Sequence, residues 1–458
     1  MSFVELAQRI LKQAAPDLTP LRASRAFRFV FAGSGISALG SYITYVAIPY
    51  QVYLLTDDPL LVGLLGVCEI APLLVMALVG GALADYTDRR RLVLLGEIAF
   101  AGLTVVLLVH AALGSPYLWL LYAVAALIAT VDGVQRPAMD AMVPRLVKPE
   151  QIPAAIVLNT LRGNVAWLVG PAVGGVLLAT VPLPLVFAVD LATFVVSIAC
   201  FAAIGAVPPP PAAERPSLRS VGAGLRYAVR RPELLGTYLV DINAMFFGMA
   251  QALFPFVAEQ LGGPAVLGLL YAAPSAGSLL ASLVSRWTGR VHRHGLAVTL
   301  AAGAWGIAIV GFGLSRTLWL ALLFLFLAGA ADMVSGLFRA VIWNQTIPDH
   351  MRGRLAGIEM LSYMIGPTLG NARAGGMARL TGVFGSIVWG GVLCVVGTVA
   401  LAAAMPAFLR YDGREGLKKK IAEDEAWAAR AQANGSAVES AEVGTAGSAA
   451  AEAAQAGS

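Results

Sequence analysis

Long apolar segments, separated by short polar turns, recur along almost the whole chain. A helix that crosses a bilayer needs about 20 mostly apolar residues, and twelve segments meet this requirement. They lie at residues 27–54, 61–84, 92–113, 117–141, 154–180, 184–206, 234–260, 265–285, 296–315, 318–343, 355–378 and 384–408. Pro49 interrupts the first segment and is expected to kink or shorten that helix, because proline removes a backbone donor. The pattern predicts an all-α integral membrane protein with twelve transmembrane helices.

The connecting loops alternate in charge, and this alternation indicates how the helices are oriented. Every second loop is basic, and these loops lie at residues 89–91, 145–148, 215–231, 286–293 and 352–354. Short cytoplasmic loops of membrane proteins carry an excess of lysine and arginine, so both termini are expected in the cytoplasm. Composition agrees, since 58% of the residues are hydrophobic and only 13% are charged. We therefore expect a multi-pass protein of the bacterial plasma membrane, with the lipid bilayer as its surroundings.

The middle of the chain changes character and divides it into two halves. Four consecutive prolines, Pro208–Pro211, cannot be helical, and residues 217–231 then have the spacing of an amphipathic surface helix. The pattern predicts a cytoplasmic linker at 207–233 between two six-helix lobes, which span residues 27–206 and 234–408.

The two ends of the chain are polar and are predicted to lie outside the membrane. Residues 1–26 form a cytoplasmic N-terminal segment, with apolar residues at helical spacing that suit a short surface helix. Residues 409–458 turn basic and then become a run of Ala, Glu, Gly and Ser. Low hydrophobicity and low complexity predict a disordered cytoplasmic tail there.

The two halves share features at corresponding positions. The matching pairs are Pro49 with Pro255, Asp132-Gly133 with Asp332-Met333, and Gly170-Pro171 with Gly366-Pro367. Internal symmetry of this kind places the substrate site of a transporter near the bilayer midplane, between the halves. We therefore expect two pseudo-symmetric lobes around a central cavity.

A tight, charged turn at residues 81–92 separates the second and third apolar segments. It resembles the signature loop of the major facilitator superfamily, G-x-L-A-D-x-x-G-R-R/K-x-x-L. The matching residues are Gly81, Leu83, Ala84, Asp85, Arg89 and Arg90, whereas Tyr86 and Asp88 depart from the pattern. The resemblance implies the fold of that superfamily and a gating role for Gly81, Asp85, Arg89 and Arg90. We expect Asp85 and the arginines to latch the loop onto the start of the eleventh segment, at residues 354–357.

The fifth segment carries closely spaced glycines around a proline. Gly170, Pro171, Gly174 and Gly175 resemble the G-x-x-x-G-P-x-x-G-G motif of antiporters in the same superfamily, with Ala166 in place of the first glycine. Glycines flatten one face of a helix and allow another helix to approach closely. The motif favours export over uptake.

Several ionisable residues lie inside the predicted membrane segments, where each costs about 2.5–3.5 kcal/mol on insertion scales. Those predicted to line a substrate or proton cavity are Glu69, Asp132, Arg136, Arg162, Asp241 and Asp332. Asp132 and Arg136 are four residues apart on one helical face and are also consistent with a structural ion pair. Arg162 suits an anionic substrate or an acid on another helix. Asp190 is a weaker candidate, and Glu97 is assigned to the gating network.

The sequence also argues against several other functions. It contains no nucleotide-binding loop and no nucleophile–base arrangement, so no enzyme activity, cofactor or metal is expected. The basic residues are spread over many loops, which gives no reason to expect a nucleic-acid partner. The three cysteines lie inside apolar segments and are expected to be free.

A closer resemblance covers most of residues 20–410. Asp132-Gly133, Arg162, the proline linker with residues 217–220, and Gly353-Arg354 are similar to features of the enterobactin (siderophore) exporter family. This resemblance implies proton-driven export of a catecholate siderophore or a similar amphipathic small molecule, and we expect the chain to work as a monomer. A multidrug efflux permease and an uptake permease of the same fold remain open. A non-transporting membrane sensor and a membrane-embedded enzyme are further alternatives.

Overall fold

A computed structural model describes residues 17–113, 117–207, 226–348, 351–427 and 429. Within these residues the chain forms twelve long helical segments. In chain order they are α1 (Arg25–Thr56), α2 (Pro59–Tyr86), α3 (Arg89–Ala112), α4 (Leu118–Leu146), α5 (Ile152–Thr180), α6 (Leu183–Ala202), α7 (Pro232–Gly248, continued by Phe254–Leu261), α8 (Pro264–Leu283), α9 (His294–Leu314), α10 (Leu318–Thr346), α11 (Arg352–Thr381) and α12 (Val383–Ala404).

Among the described residues, ten of these segments are long and apolar enough to cross a membrane. The two others are α2, which counts as apolar over Pro59–Leu73, and α11, which carries several arginines and an asparagine. Polar residues inside α11 lower its hydropathy without shortening the helix. The predicted all-α membrane fold is confirmed.

Local capping explains where the first three helices begin. The Ser24 hydroxyl accepts a hydrogen bond from the backbone N–H of Phe27 and caps α1. Asp58 caps α2 by accepting from Leu60 at 3.0 Å, and Asp88 caps α3 by accepting from Arg90 at 2.9 Å. Such side-chain caps satisfy backbone donors that have no partner within the helix.

The helix break expected at Pro49 occurs instead in the second half of the chain. Helix α1 runs without interruption through Pro49, whereas α7 is interrupted between Gly248 and Phe254. Arg373 of α11 donates to three carbonyl oxygens at this break, those of Phe246 (3.1 Å), Phe247 (2.7 Å) and Met249 (3.1 Å). The arginine thus supplies the partners that the broken helix lacks, which is how irregular backbone is tolerated at membrane depth.

The helices pack as two groups, α1–α6 and α7–α12, which meet mainly through α2 against α11 and α5 against α8. We call the face where α1 begins the terminal face, and the face where α1 ends and α2 begins the distal face. The described contacts between the two groups lie toward the distal face. There Gly63 packs on the backbone of Asn371 and Gly175 packs on Gly268.

The chain after α12 is more ordered than its composition predicted. Residues 413–427 are helical, although the sequence analysis placed a disordered tail from residue 409. The Glu423 carboxylate pairs with Arg231 and accepts a hydrogen bond from Tyr227. The tail helix is therefore held by contacts that are distant in sequence. The predicted N-terminal surface helix falls mostly within residues 1–16, and the proline linker within 208–225; both lie outside the described residues.

Candidate transport cavity

Four aromatic side chains lie between the lobes, next to the distal contact of α5 and α8. We call Tyr42, Tyr45, Trp167 and Tyr271 the aromatic roof. The Tyr42 and Trp167 rings meet edge to face at 4.8 Å, and the Tyr45 ring reaches Tyr271 of the other lobe at 5.7 Å. The Tyr45 hydroxyl also donates to Gln251 at 2.8 Å. Tyr45 and Trp167 remain 38% and 37% exposed, so their surfaces can contact a guest molecule.

One face of α4 carries three charged residues at intervals of four. Asp132 and Arg136 approach to 4.0 Å, with half-exposed side chains, and Asp140 continues the same stripe. The predicted pairing of Asp132 with Arg136 is present, but its exposure makes its contribution to stability small. Asp140 lies at the end of the predicted segment 117–141 and outside the predicted cavity set, whereas α4 continues to Leu146.

Arg162 of α5 forms no ion pair among the described residues, although it interacts electrostatically with Asp140 of α4 and Glu97 of α3. It donates to the Ser34 hydroxyl of α1, and its Nε atom is buried with no hydrogen-bond partner. Among the described residues, no carboxylate lies within ion-pair distance of Arg162. The predicted charge therefore lies inside the N-terminal lobe with spare donor capacity.

The second lobe holds its charges as a cluster. Asp241 of α7 is buried and pairs with Arg339 of α10 at 2.6 Å. Asp332, about two helical turns before Arg339 on the same side of α10, interacts electrostatically with Arg339. The structure therefore brings the predicted residues Asp241 and Asp332 together around an arginine that the prediction left out.

Glu69 of α2 is separate from both clusters. It lies near Tyr45 of the aromatic roof, with which it interacts electrostatically. The N-terminal lobe thus contributes Glu69, the α4 stripe and Arg162, and the C-terminal lobe contributes the Asp241–Arg339–Asp332 cluster.

The glycine motif of α5 makes contacts on two sides. Gly170 packs on Tyr42, and Gly174 packs on Ile43 of α1. Gly175 faces Gly268 of α8, where a Cβ added at Gly175 would lie 2.5 Å from the Gly268 Cα. The carbonyl of Pro171 also faces Gly268. The motif therefore fits α5 both to its own lobe and to the opposite lobe.

The arginines of the α2–α3 loop bind the ends of neighbouring helices. Arg89 is buried and donates to the Ala141 carbonyl at 3.1 Å. Arg90 donates to the carbonyls of Phe201 and Ala202 at 2.9 Å and 2.7 Å. These described bonds anchor the loop within its own lobe. The side chains of Gly81 and Asp85, and those at the start of α11, lie outside the described residues.

Twelve long helices pack in two groups, and ten of them are apolar and long enough to cross a membrane within the described part of the chain. With the family model that matches this chain, they form a secondary transporter of the major facilitator superfamily. The chain belongs to the transmembrane secretion effector family, whose model matches residues 15–423. It is 28% identical over 391 residues to the enterobactin exporters of Shigella boydii and Escherichia coli, covering 84% of this chain and 93% of theirs. The chain is a multi-pass membrane transporter and not an enzyme.

Solved transporter structures share this fold. A nucleoside transporter matches with a TM-score of 0.67 at 12% identity, covering 84% of this chain and 100% of that one. A bacterial homologue of the lysosomal transporter Spinster, in an inward-facing conformation, matches with a TM-score of 0.65 at 15% identity, covering 86% and 98%. At these identities the likeness establishes the fold alone.

Proposed function

We propose that this protein is a proton-coupled exporter of a small amphipathic molecule, working by alternating access with its terminal face in the cytoplasm. The observation that carries the proposal is the contact of α2 with α11 and of α5 with α8 at the distal face, next to the aromatic roof. Because the two lobes are in contact at the distal face, a substrate that enters from the cytoplasm cannot pass beyond that contact. The basic loops of the terminal face support this orientation.

The residues around this space favour a particular class of substrate. The exposed rings of Tyr45 and Trp167 suit an aromatic ring, because aromatic pairs gain about 0.5–1.5 kcal/mol beyond area burial. The carboxylates of Asp132 and Asp140 accept hydrogen bonds and suit hydroxyl groups on such a ring. A catechol-bearing molecule meets both requirements, in agreement with the relatives that are named enterobactin exporters.

The transport cycle follows from the contacts between the lobes. Separation of α2 from α11 and of α5 from α8 would open the distal face and release the substrate. The loop at 81–92 would then latch onto the start of α11 at the terminal face through Asp85, while Arg89 and Arg90 hold the loop to its own lobe. Replacement of Asp85 by Asn should lower transport without unfolding the protein.

Reconstituted transport tests the function. Purified protein in liposomes, with enterobactin enclosed on the side of the terminal face, should move it outward when protons flow inward. Collapse of the proton gradient should stop this movement. Continued export after collapse would contradict proton coupling, and counterflow only toward the terminal face would indicate an uptake permease.

A multidrug efflux permease is the second candidate. The aromatic roof favours it, because ring faces impose no fixed pattern of hydrogen bonds on a planar guest. Export of structurally unrelated aromatic cations at rates similar to enterobactin would support this alternative over a dedicated siderophore exporter.

A further inference from the structure

Two acidic side chains lie buried in the N-terminal lobe without a cation at ion-pair distance among the described residues. Glu97 of α3 is 3% exposed and Asp190 of α6 is 1% exposed. An ionised carboxylate buried without a counter-ion is costly, and inside a membrane protein such a group is a functional candidate. Neither residue belongs to the predicted cavity set.

The two carboxyl groups differ in how well they are satisfied. Asp190 accepts from the hydroxyls of Thr44 (2.5 Å), Thr104 (3.3 Å) and Thr193 (3.4 Å), which occupy both of its oxygens. Glu97 accepts at Oε1 from Gln135 at 2.9 Å, but its buried Oε2 has no partner. The Ser197 hydroxyl lies beside the Glu97 carboxyl. The Ser197 hydroxyl can donate to Oε2 when Glu97 is ionised and can accept from Oε2 when Glu97 is protonated, so both states of the carboxyl group have a partner.

The nearest cation is also incompletely bonded. Arg162 interacts electrostatically with Asp140 of α4, with Tyr42 of α1 and with Glu97. Arg162 Nε and Glu97 Oε2 are both buried without hydrogen-bond partners. Arg162 binds Ser34 of α1, while Ser37, one turn further along α1, faces Glu97 at 3.5 Å. The guanidinium and the carboxylate thus lie one helical turn apart along the same strip of α1.

The surface between these two positions leaves room for the arginine to move. Gly35 lies beneath the Arg162 stem, and a Cβ at that position would come within 3.3 Å of Arg162 Cγ. A side chain with four rotatable bonds can slide over a glycine to reach the next turn. The groups that face Glu97 are Ser37 of α1, Gln135 of α4, Arg162 of α5, and Asp190 and Ser197 of α6.

We propose that Glu97 and Arg162 form a proton switch for the transport cycle. With Glu97 protonated, Arg162 stays beside the cavity on Ser34. When a substrate fills the cavity and displaces the guanidinium, Arg162 moves one turn to Glu97, and the proton leaves Glu97 Oε2 for water on the terminal face. Substrate and proton then exclude each other, as antiport requires. The inference rests on the proposed function.

Infrared spectroscopy of the purified protein tests the switch without any transport measurement. A protonated carboxylic acid has its own carbonyl stretch. We expect a band that disappears as pH rises, that is lost in Glu97→Gln and that persists in the control Asp132→Asn, whose carboxylate is exposed. If no component of the band is lost in Glu97→Gln, the proposal is overturned, because the whole band then belongs to other buried acids such as Asp190. If the band behaves as expected but the export rate does not depend on the proton gradient, the proposed proton-coupled function is wrong. Glu97 is then still a site that binds a proton.

A second variant keeps the proposal testable if Glu97→Gln does not fold. Gly35→Ala should obstruct the movement of Arg162, so the band should persist to higher pH than in the wild-type protein. Gly163→Ala is the matched control, because a Cβ added at Gly163 would meet nothing within 4 Å. Identical titrations of the Gly35 and Gly163 variants would contradict the proposed movement.

Discussion

Arg379, at the end of α11, and Asp58, at the start of α2, join the two lobes across the distal face. Arg379 Nε lies 2.9 Å from Asp58 Oδ1, and a second guanidinium nitrogen binds the other carboxylate oxygen. A two-pronged pair of this kind fixes orientation as well as distance. The same carboxylate caps α2, so release of the pair is linked to the first turn of that helix.

Replacement of Asp58 by Asn should partly open the distal face. Spin labels would be placed at Leu113 and Thr317, on distal loops of the two lobes. Double electron–electron resonance should then show a longer distance between the two labels. Asp57→Asn is the matched control, because Asp57 has a left-handed backbone conformation that Asn also tolerates. Unchanged distances in the Asp58 variant would show that the ion pair does not hold the lobes together.

The same ion pair predicts how closure depends on pH. Hydrogen bonding to Arg379 holds the pKa of the Asp58 carboxyl below its ordinary value. A carboxylate with a lowered pKa contributes above its ordinary range and is lost only as pH falls through the lowered value. Distal closure should therefore be insensitive to pH near neutrality and weaken in acid. Opening on a change from neutral to mildly alkaline pH would contradict this assignment.

Replacement of Gly175 by Ala should prevent full closure of α5 on α8. The added Cβ would meet the backbone of Gly268 at 2.5 Å, and backbone cannot move aside as a flexible side chain can. We expect longer distal distances and reduced export, with Gly163→Ala again as control. Normal distances in the Gly175 variant would show that this contact is not needed for closure.

Trp167→Ala should weaken the binding of an aromatic substrate. Loss of one ring contact is worth about 1 kcal/mol, which corresponds to roughly a fivefold weaker affinity. Trp319 is 80% exposed and supplies the control Trp319→Ala. If calorimetry shows equal affinities of the two variants for enterobactin, the aromatic roof is not part of the substrate site.

Replacement of Arg373 by Met should destabilise the protein. Three carbonyl oxygens at the break in α7 would lose their donor, and each buried group left unsatisfied costs about 1–3 kcal/mol. Thermal unfolding in detergent should occur at a clearly lower temperature than for Arg286→Met, a control at an exposed position. Equal unfolding temperatures would show that water replaces the arginine at the break.

The number and order of the helices could be predicted from the sequence, because they depend on local hydropathy and on helix-capping residues such as Asp58 and Asp88. The break in α7 could not, because it depends on Arg373, which is more than a hundred residues away. Pro49 and Pro255 occupy corresponding positions, yet only α7 is interrupted near its proline. Proline permits a break, and tertiary contacts decide whether one forms.

The candidate site was predictable to a lesser extent. Ionisable residues in apolar segments are conspicuous, so Asp132, Arg162 and Asp241 could be named in advance. The partners of these residues could not be named in advance. The spacing of residues within one helix does not show how that helix is rotated or which side chains of other helices face it. The position of Glu97 near a helix end predicts a gating role, whereas the structure buries Glu97 and bonds it to Gln135 of α4. Tyr45 and Trp167 lie in apolar stretches of α1 and α5, and only the packing of these two helices shows that their rings are in contact.

The most direct test of this account measures both faces of the transporter at once. Spin labels would be placed at Leu113 and Thr317 on the distal face, and at Glu150 and Arg286 on the terminal face, in a variant with Cys68, Cys200 and Cys394 replaced. When enterobactin is added, the account predicts that the terminal distance shortens while the distal distance lengthens. Two distances that change in the same direction, or that do not change, would contradict alternating access by rocking of the two lobes.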